Sequence, residues 1–332
     1  MLARIAREIP TNLDSTTGRG RIIATILPNF LRVATLAPQS AAASNAQRLW
    51  LAATPALFVF LWSTGFIGAK YGVPYAEPFT FLAIRMALAS GLLLLLAIAT
   101  KAPWPTARSA GHTAMAGLLV HGFYLGGVFY AVLLKVPLGQ VALIVGLQPV
   151  LTAFLAGPLF GERLSRWQWL GIALGFIGVV LVVSGKAGNE IASGAGIACC
   201  LAALGGITAG TLYQKRFCAN LDIRTSGVIQ FAATGIAFWF GALLLETRLV
   251  VWSNQFIFAL AWLTVVLSLG AITLLYVLIR NGAAAKVASL FFLTPPVTAV
   301  MAFFLFGEVL SSSALLGLVV TAIGVALVAR GK

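Results

Sequence analysis

Acidic side chains are scarce: 332 residues hold 8 Asp and Glu against 22 Lys and Arg. Glu8, Asp14, Glu77, Glu162, Glu190, Asp222, Glu246 and Glu308 all fall in loops, in the N-terminal tail or at the ends of apolar runs. A cation exchanger that works on a buried glutamate, or a sodium site built from acidic ligands, needs a carboxylate at mid-depth, and none is available. Cysteine is equally sparse. Cys199, Cys200 and Cys218 form no framework, and an adjacent pair does not readily bridge, so no disulfide is expected. His121 has no second histidine, cysteine or carboxylate at ligand spacing, which leaves no metal site and no cofactor to expect. The chain also lacks a G-x-x-x-x-G-K-[ST] loop, so it should not hydrolyse ATP. Short alternating segments, the signature of an outer-membrane barrel, are missing as well.

What is present is apolar: 60% of the residues are hydrophobic, 9% are charged, and the mean hydropathy is +1.00. The surface of a soluble globule could not accommodate that composition. With about 20 apolar residues per span, the sequence reads as spans over 50–72, 78–100, 112–133, 137–160, 166–185, 192–213, 226–246, 256–279, 283–306 and 312–330. The expected fold is an all-α polytopic membrane protein of ten transmembrane helices.

The chain is also a duplication. Val141 to Lys186 aligns without a gap with Val287 to Lys332, and roughly 22 of about 46 positions coincide. Both copies carry a proline (Pro149, Pro295), then L-F-G-E, then glycines spaced seven apart (Gly171 and Gly178, Gly317 and Gly324). The domains expected are a cytoplasmic tail over 1–48, disordered on composition alone, and five-helix repeats over 49–186 and 187–332. The tail has no continuous apolar core before a small-residue cleavage site, so it is no secretory signal. An extension from a misplaced start, an organelle transit peptide, or an interfacial helix over Arg21 to Val33 are its other readings.

A net charge of +14 would suggest nucleic acid if the basic residues clustered. They lie in loops instead: with a cytoplasmic N-terminus, about 17 face inward and about 4 outward (Lys70, Lys135, Lys186, Arg248), with Arg85 left inside a span. That bias places both termini in the cytoplasm and makes nucleic-acid binding unexpected. An odd number of helices per repeat then forces the second copy to enter the membrane inverted, the plan of many secondary transporters.

Candidate site residues follow from depth. Trp62 lies too deep for the interfacial belt, so it is either packing or a cavity wall. Arg85 either snorkels to the outer edge or pairs inside with polar groups or with an anionic group of the cargo. Its counterpart in the second copy is Gln230. His121 and Tyr124 sit close to mid-depth, and His121 is either a hydrogen-bonded interior group or a proton carrier. Gln148-Pro149 and Thr294-Pro295 interrupt corresponding helices, where proline frees a backbone carbonyl that protein or a cavity must satisfy. A plain packing kink is the other reading of those prolines. Together Trp62, Arg85, His121, Tyr124, Gln148, Pro149, Gln230, Thr294 and Pro295 are the expected substrate-binding set, with Arg85 toward the outer mouth. Glu162 and Glu308 follow glycines in interhelical turns, which suits a helix N-terminal or turn-stabilising role.

LWSTGFIGAKYG, EPFTFLAIRMALA, QPVLTAFLAGPLFGERL, GTLYQKRF and TPPVTAVMAFFLFGEVL together resemble the EamA family of the drug/metabolite transporter superfamily, over about residues 50–330. The resemblance implies two inverted five-helix units, alternating access, and export of small molecules such as amino acids, metabolites or drugs. The partners expected are a small-molecule substrate and the lipid bilayer of the cell membrane, with proton or counter-solute coupling open, as monomer or homodimer. An intramembrane hydrolase lacks a nucleophile with a base beside it, and a receptor or structural role would need none of the repeated machinery.

Overall fold

The computed structural model describes residues 45–136, 141, 144–184, 193–306 and 312–330. Most of the tail, and Lys186, Glu190, Glu308 and Lys332, lie outside the described residues. Those described are helical apart from short connections and an isolated antiparallel bridge between Ala76 and Val250. We label the helices α1 (Asn45–Gly72), α2 (Pro78–Ala99), α3 (Ala107–Leu133), α4 (Gln148–Phe160), α5 (Arg166–Ser184), α6 (Gly194–Phe217), α7 (Ile223–Leu245), α8 (Asn254–Asn281), α9 (Ala284–Leu305) and α10 (Ser312–Arg330).

Among the described residues, seven of these (α2, α3, α6, α7, α8, α9 and α10) are long and apolar enough to cross a membrane. The other apolar stretches, Ala53–Gly65, Gln148–Phe160 and Arg166–Leu181, are shorter. The sequence expected ten full spans. At α4, turn geometry at Gly146 and Leu147 leaves the regular helix to begin at Gln148, with Pro149 in the first turn, and residues 137–140, 142 and 143 of the expected span lie outside the described residues. The second copy repeats the break: 3₁₀ backbone over Leu290–Leu293 gives way to α-helix at Thr294, just before Pro295.

Local chemistry sets the helix starts. Thr106, Ser193, Asp222 and Ser253 stand at the N-caps of α3, α6, α7 and α8, and each side chain accepts from a backbone N–H of the first turn. Gly161, at φ 68°, closes α4 in the left-handed conformation that a side chain disfavours.

The outside is as apolar as the interior: Leu244 is 81% exposed and Phe304 78%. The chain is an integral membrane protein. Lipid removes much of the hydrophobic drive for helix association, so close packing and hydrogen bonds must hold the bundle. The packing pairs helices across the two copies: α2 with α7, α5 with α10, α4 with α9, α3 with α6, and α1 with α8. Between α5 and α10 the backbones touch, since a Cβ on Gly171 would lie 2.6 Å from the Gly324 carbonyl oxygen. At α1 and α8, a Cβ on Gly65 would meet Leu267 at the same distance.

Candidate functional site

Two helices widen at matching places. α3 is π-helical over Leu118–Phe123 and α8 over Leu263–Ala271, and the offset that carries Arg85 onto Gln230 carries Leu118 onto Leu263. Such bulges inside α-helices cluster at functional sites. Here the first carries His121 and the second carries Ser268.

A cavity of about 40 Å³ lies where α8 meets α1, α2 and α3, and its wall includes Trp62, Arg85, His121, Tyr124, Phe129 and Leu267. It has room for a few waters and not for a whole metabolite. Arg85 is 3% exposed, so it does not snorkel; its Nε donates to Ser268 Oγ at 3.1 Å. Ser268 in turn donates to the Leu263 carbonyl at 3.2 Å, five residues back in the widened turn. Trp62 stacks on Tyr124, with ring centroids 6.1 Å apart.

His121 begins a buried hydrogen-bonded chain. Tyr276 donates its hydroxyl proton to Gln230 Oε1, so it can only accept from His121 Nε2, 3.2 Å away. Gln230 Nε2 then donates to Gln214 Oε1 at 3.0 Å. The chain fixes the His121 tautomer and ties α3, α8, α7 and α6 together.

The structure therefore brings Trp62, Arg85, His121 and Tyr124 to one cavity and joins Gln230 to it through Tyr276. It does not bring Gln148 there. Gln148 is buried, donates to Thr152 Oγ1 at 3.4 Å, and lines a separate space of about 10 Å³ beside Lys215 and Phe291. Thr294 is also buried, and its carbonyl accepts from Ser63 Oγ at 3.4 Å. Pro149 is buried and Pro295 half-buried, both at the helix breaks. An aromatic cluster, Phe58, Trp62 and Phe291, with centroids 5.2 to 5.4 Å apart, stands between the two spaces.

Beyond that cluster, Glu162 accepts from Lys215 Nζ at 2.8 Å and from the Ala284 backbone N–H at 2.8 Å. Lys215 also donates to the Gly282 carbonyl at 2.9 Å. The carboxylate thus sits at the N-terminus of α9, where the helix dipole favours it. Glu308, expected to act likewise, lies outside the described residues. Toward the opposite end, Phe81 packs on Phe129 and Phe256, at 5.7 and 5.5 Å. Past them Glu246 accepts from the backbone N–H groups of Phe79 and Thr80, both at 2.7 Å, and from the Tyr130 hydroxyl at 3.0 Å. Among the described residues, no three His, Cys, Asp or Glu side chains come together as metal ligands would.

Ser268, Tyr276, Phe291 and Gln214 were not singled out from sequence. A signal existed for two of them: Thr264, Ser268 and Tyr276 recur at multiples of four residues in an otherwise apolar run, one face of a helix.

The model of the EamA-like transporter family matches residues 49–184 and again residues 195–330. The uncharacterized inner membrane transporter YedA of Escherichia coli (strain K12) is 29% identical over 281 residues, covering 83% of this chain and 89% of that protein. A protein of Salmonella typhimurium named a probable amino-acid metabolite efflux pump is 26% identical over 160 residues, covering 48% and 52%. A crystal structure with 19% identity superposes at a TM-score of 0.69 over 82% of this chain and 94% of its own, which shows the fold. With each half matched separately by one family model, as the repeated sequence and the cross-copy helix pairs require, the chain belongs to the EamA-like transporter family.

Proposed function

We propose that the protein is a secondary transporter of the cell membrane that exports small metabolites by alternating access. In this reading ten helices span the bilayer as inverted repeats over 49–186 and 187–332, after a tail over 1–48, with both termini in the cytoplasm. The observation that carries it is a small central cavity closed at both ends. One end is sealed by Phe58, Trp62 and Phe291 and then by the Glu162–Lys215 pair; the other by Phe81, Phe129 and Phe256 and then by Glu246. Such a closed cavity is the intermediate that alternating access requires, and releasing one latch at a time would open it to one side. The name of the Salmonella relative supports metabolites as cargo and efflux as the direction. Gln230 and His121 hold one end of the cavity wall, while Gln148, Pro149, Thr294 and Pro295 act at the helix breaks, where movement is cheapest.

The test is flux from liposomes that contain the purified protein and a mixture of cellular metabolites. Solutes should leave faster than from protein-free vesicles, without ATP. Folded protein that accelerates no solute would overturn the proposal.

A further inference from the structure

Resting on that transport reading, the central cavity also indicates the chemistry of its cargo. Arg85 is 3% exposed and lines the cavity, yet its Nε–H is the donor it commits to protein, to Ser268. A guanidinium has five N–H donors. Among the described residues each acidic side chain is engaged elsewhere: Glu77 with Thr247, Glu162 with Lys215, Asp222 with Arg224, and Glu246 with Thr80 and Tyr130. None of them faces Arg85. An uncompensated buried cation is costly, and this one lines a space the size of a small polar group.

We infer that the cargo carries a carboxylate, held by the terminal nitrogens of Arg85, with its apolar or aromatic remainder against Trp62 and Tyr124. The fork matches the two oxygens of a carboxylate in a bidentate pair. Arg85 is the one Lys or Arg in the cavity wall, so it balances a single negative charge and not the larger charge of a phosphate. Besides Arg85 the wall's polar side chains are those of Trp62, His121 and Tyr124, with no carboxylate among them to receive a cationic group, and the rest, Val120, Leu125 and Val128 included, is apolar.

The experiment uses the full chain in detergent and follows thermal stability with formate, acetate and propionate, each against its amide, in sodium sulfate at constant ionic strength. The wild type should bind each acid at least about tenfold more tightly than its amide, as the loss of a charged hydrogen-bonding partner implies. Arg85→Gln should abolish the difference, and Arg85→Lys, which keeps the charge and guards against a folding failure, should retain a weaker preference. Equal response to acid and amide, or no response to either, overturns the inference. Equal stabilisation by chloride would reassign the site to an inorganic anion and also overturn it. Liposomes that move only neutral or cationic solutes would defeat the carboxylate and leave transport standing; liposomes that move nothing would defeat transport itself.

Discussion

Removing the charge of Glu162 should loosen one end of the cavity and leave the helices folded. Glu162 and Lys215 are 2.8 Å apart, with side chains 15% and 20% exposed. At an effective dielectric of about 20 the pair attracts by about 6 kcal/mol before desolvation. Breaking a buried pair by removing one partner costs about 3–5 kcal/mol, and the residual exposure reduces this to about 2 kcal/mol. Glu162→Gln keeps the shape and a hydrogen-bond acceptor for Ala284, so most of that cost should appear as a shift toward the state open at this end. A shift of about 2 kcal/mol is roughly thirtyfold in population. The assay is labelling of Thr152→Cys, in a background without Cys199, Cys200 and Cys218, by a maleimide that does not cross membranes. Thr152 is buried beside Gln148, so labelling reports opening. Labelling should quicken by about ten- to thirtyfold in Glu162→Gln, and Lys215→Gln should add little to it, because both remove one interaction. Unchanged labelling in both variants, or full additivity between them, would refute the latch.

Gly324→Leu should destabilise the folded protein by about 3 kcal/mol or more, because the new side chain meets the backbone of Gly175 and Gly171, which cannot swing aside. Gly91→Leu, in α2 with nothing within 4 Å of its Cβ position, should change stability by less than about 0.5 kcal/mol, and thermal unfolding in detergent distinguishes the two. The Glu77 carboxyl, outside the spans, is held below its ordinary 4.5 chiefly by the Thr247 hydroxyl, against a smaller opposing effect of burial. Folding lowers that pKa, so its contribution is present above pH 4.5 and lost as the pH falls through the folded value; Glu77→Gln should flatten the acid limb of the melting curve below pH 4.5. Reporter fusions after Arg108, Arg166 and Arg224 should read cytoplasmic, and those after Lys70, Arg248 and Ser312 external; a cytoplasmic signal after Arg248 would break the inverted arrangement.

The architecture was largely legible because its causes are local or repeated. Composition gave the solvent, the second copy of QPVLTAFLAGPLFGE exposed the duplication, and the prolines marked where α4 and α9 restart. The glycines of α5 and α10 were visible as a pattern, although only the folded chain shows them facing one another. The site was legible in part. Depth along a helix can be counted, so Trp62, Arg85, His121 and Tyr124 are expected at one site, and the structure places all four at one cavity. The direction a side chain faces cannot be counted through a helix break, so Gln148 was assigned to the central space when the Phe58–Trp62–Phe291 cluster separates it. Glu162 was expected at a helix N-terminus, and it is, but that of α9, more than a hundred residues onward. The widened turns in α3 and α8 left no mark in the sequence, since a π bulge is one extra residue in an otherwise ordinary apolar run.

Arg85 and Gln230 occupy matching positions in the two copies, and each turns toward a widened turn contributed by the other copy: Arg85 toward Ser268 on α8, Gln230 toward His121 on α3 through Tyr276. Their situations differ in one physical respect. Gln230 donates to Gln214 and accepts from Tyr276, so the protein supplies partners for both ends of its amide. Arg85 has more donors than its neighbours can accept and a charge they do not neutralise. A neutral amide that is fully engaged fixes the relative placement of α3, α6, α7 and α8; a cation left with free donors at a cavity instead has affinity for a solute. A scaffold of matching halves can thus devote one of two equivalent positions to holding helices together and the other to the cargo, and the replacement that distinguishes them is one side chain.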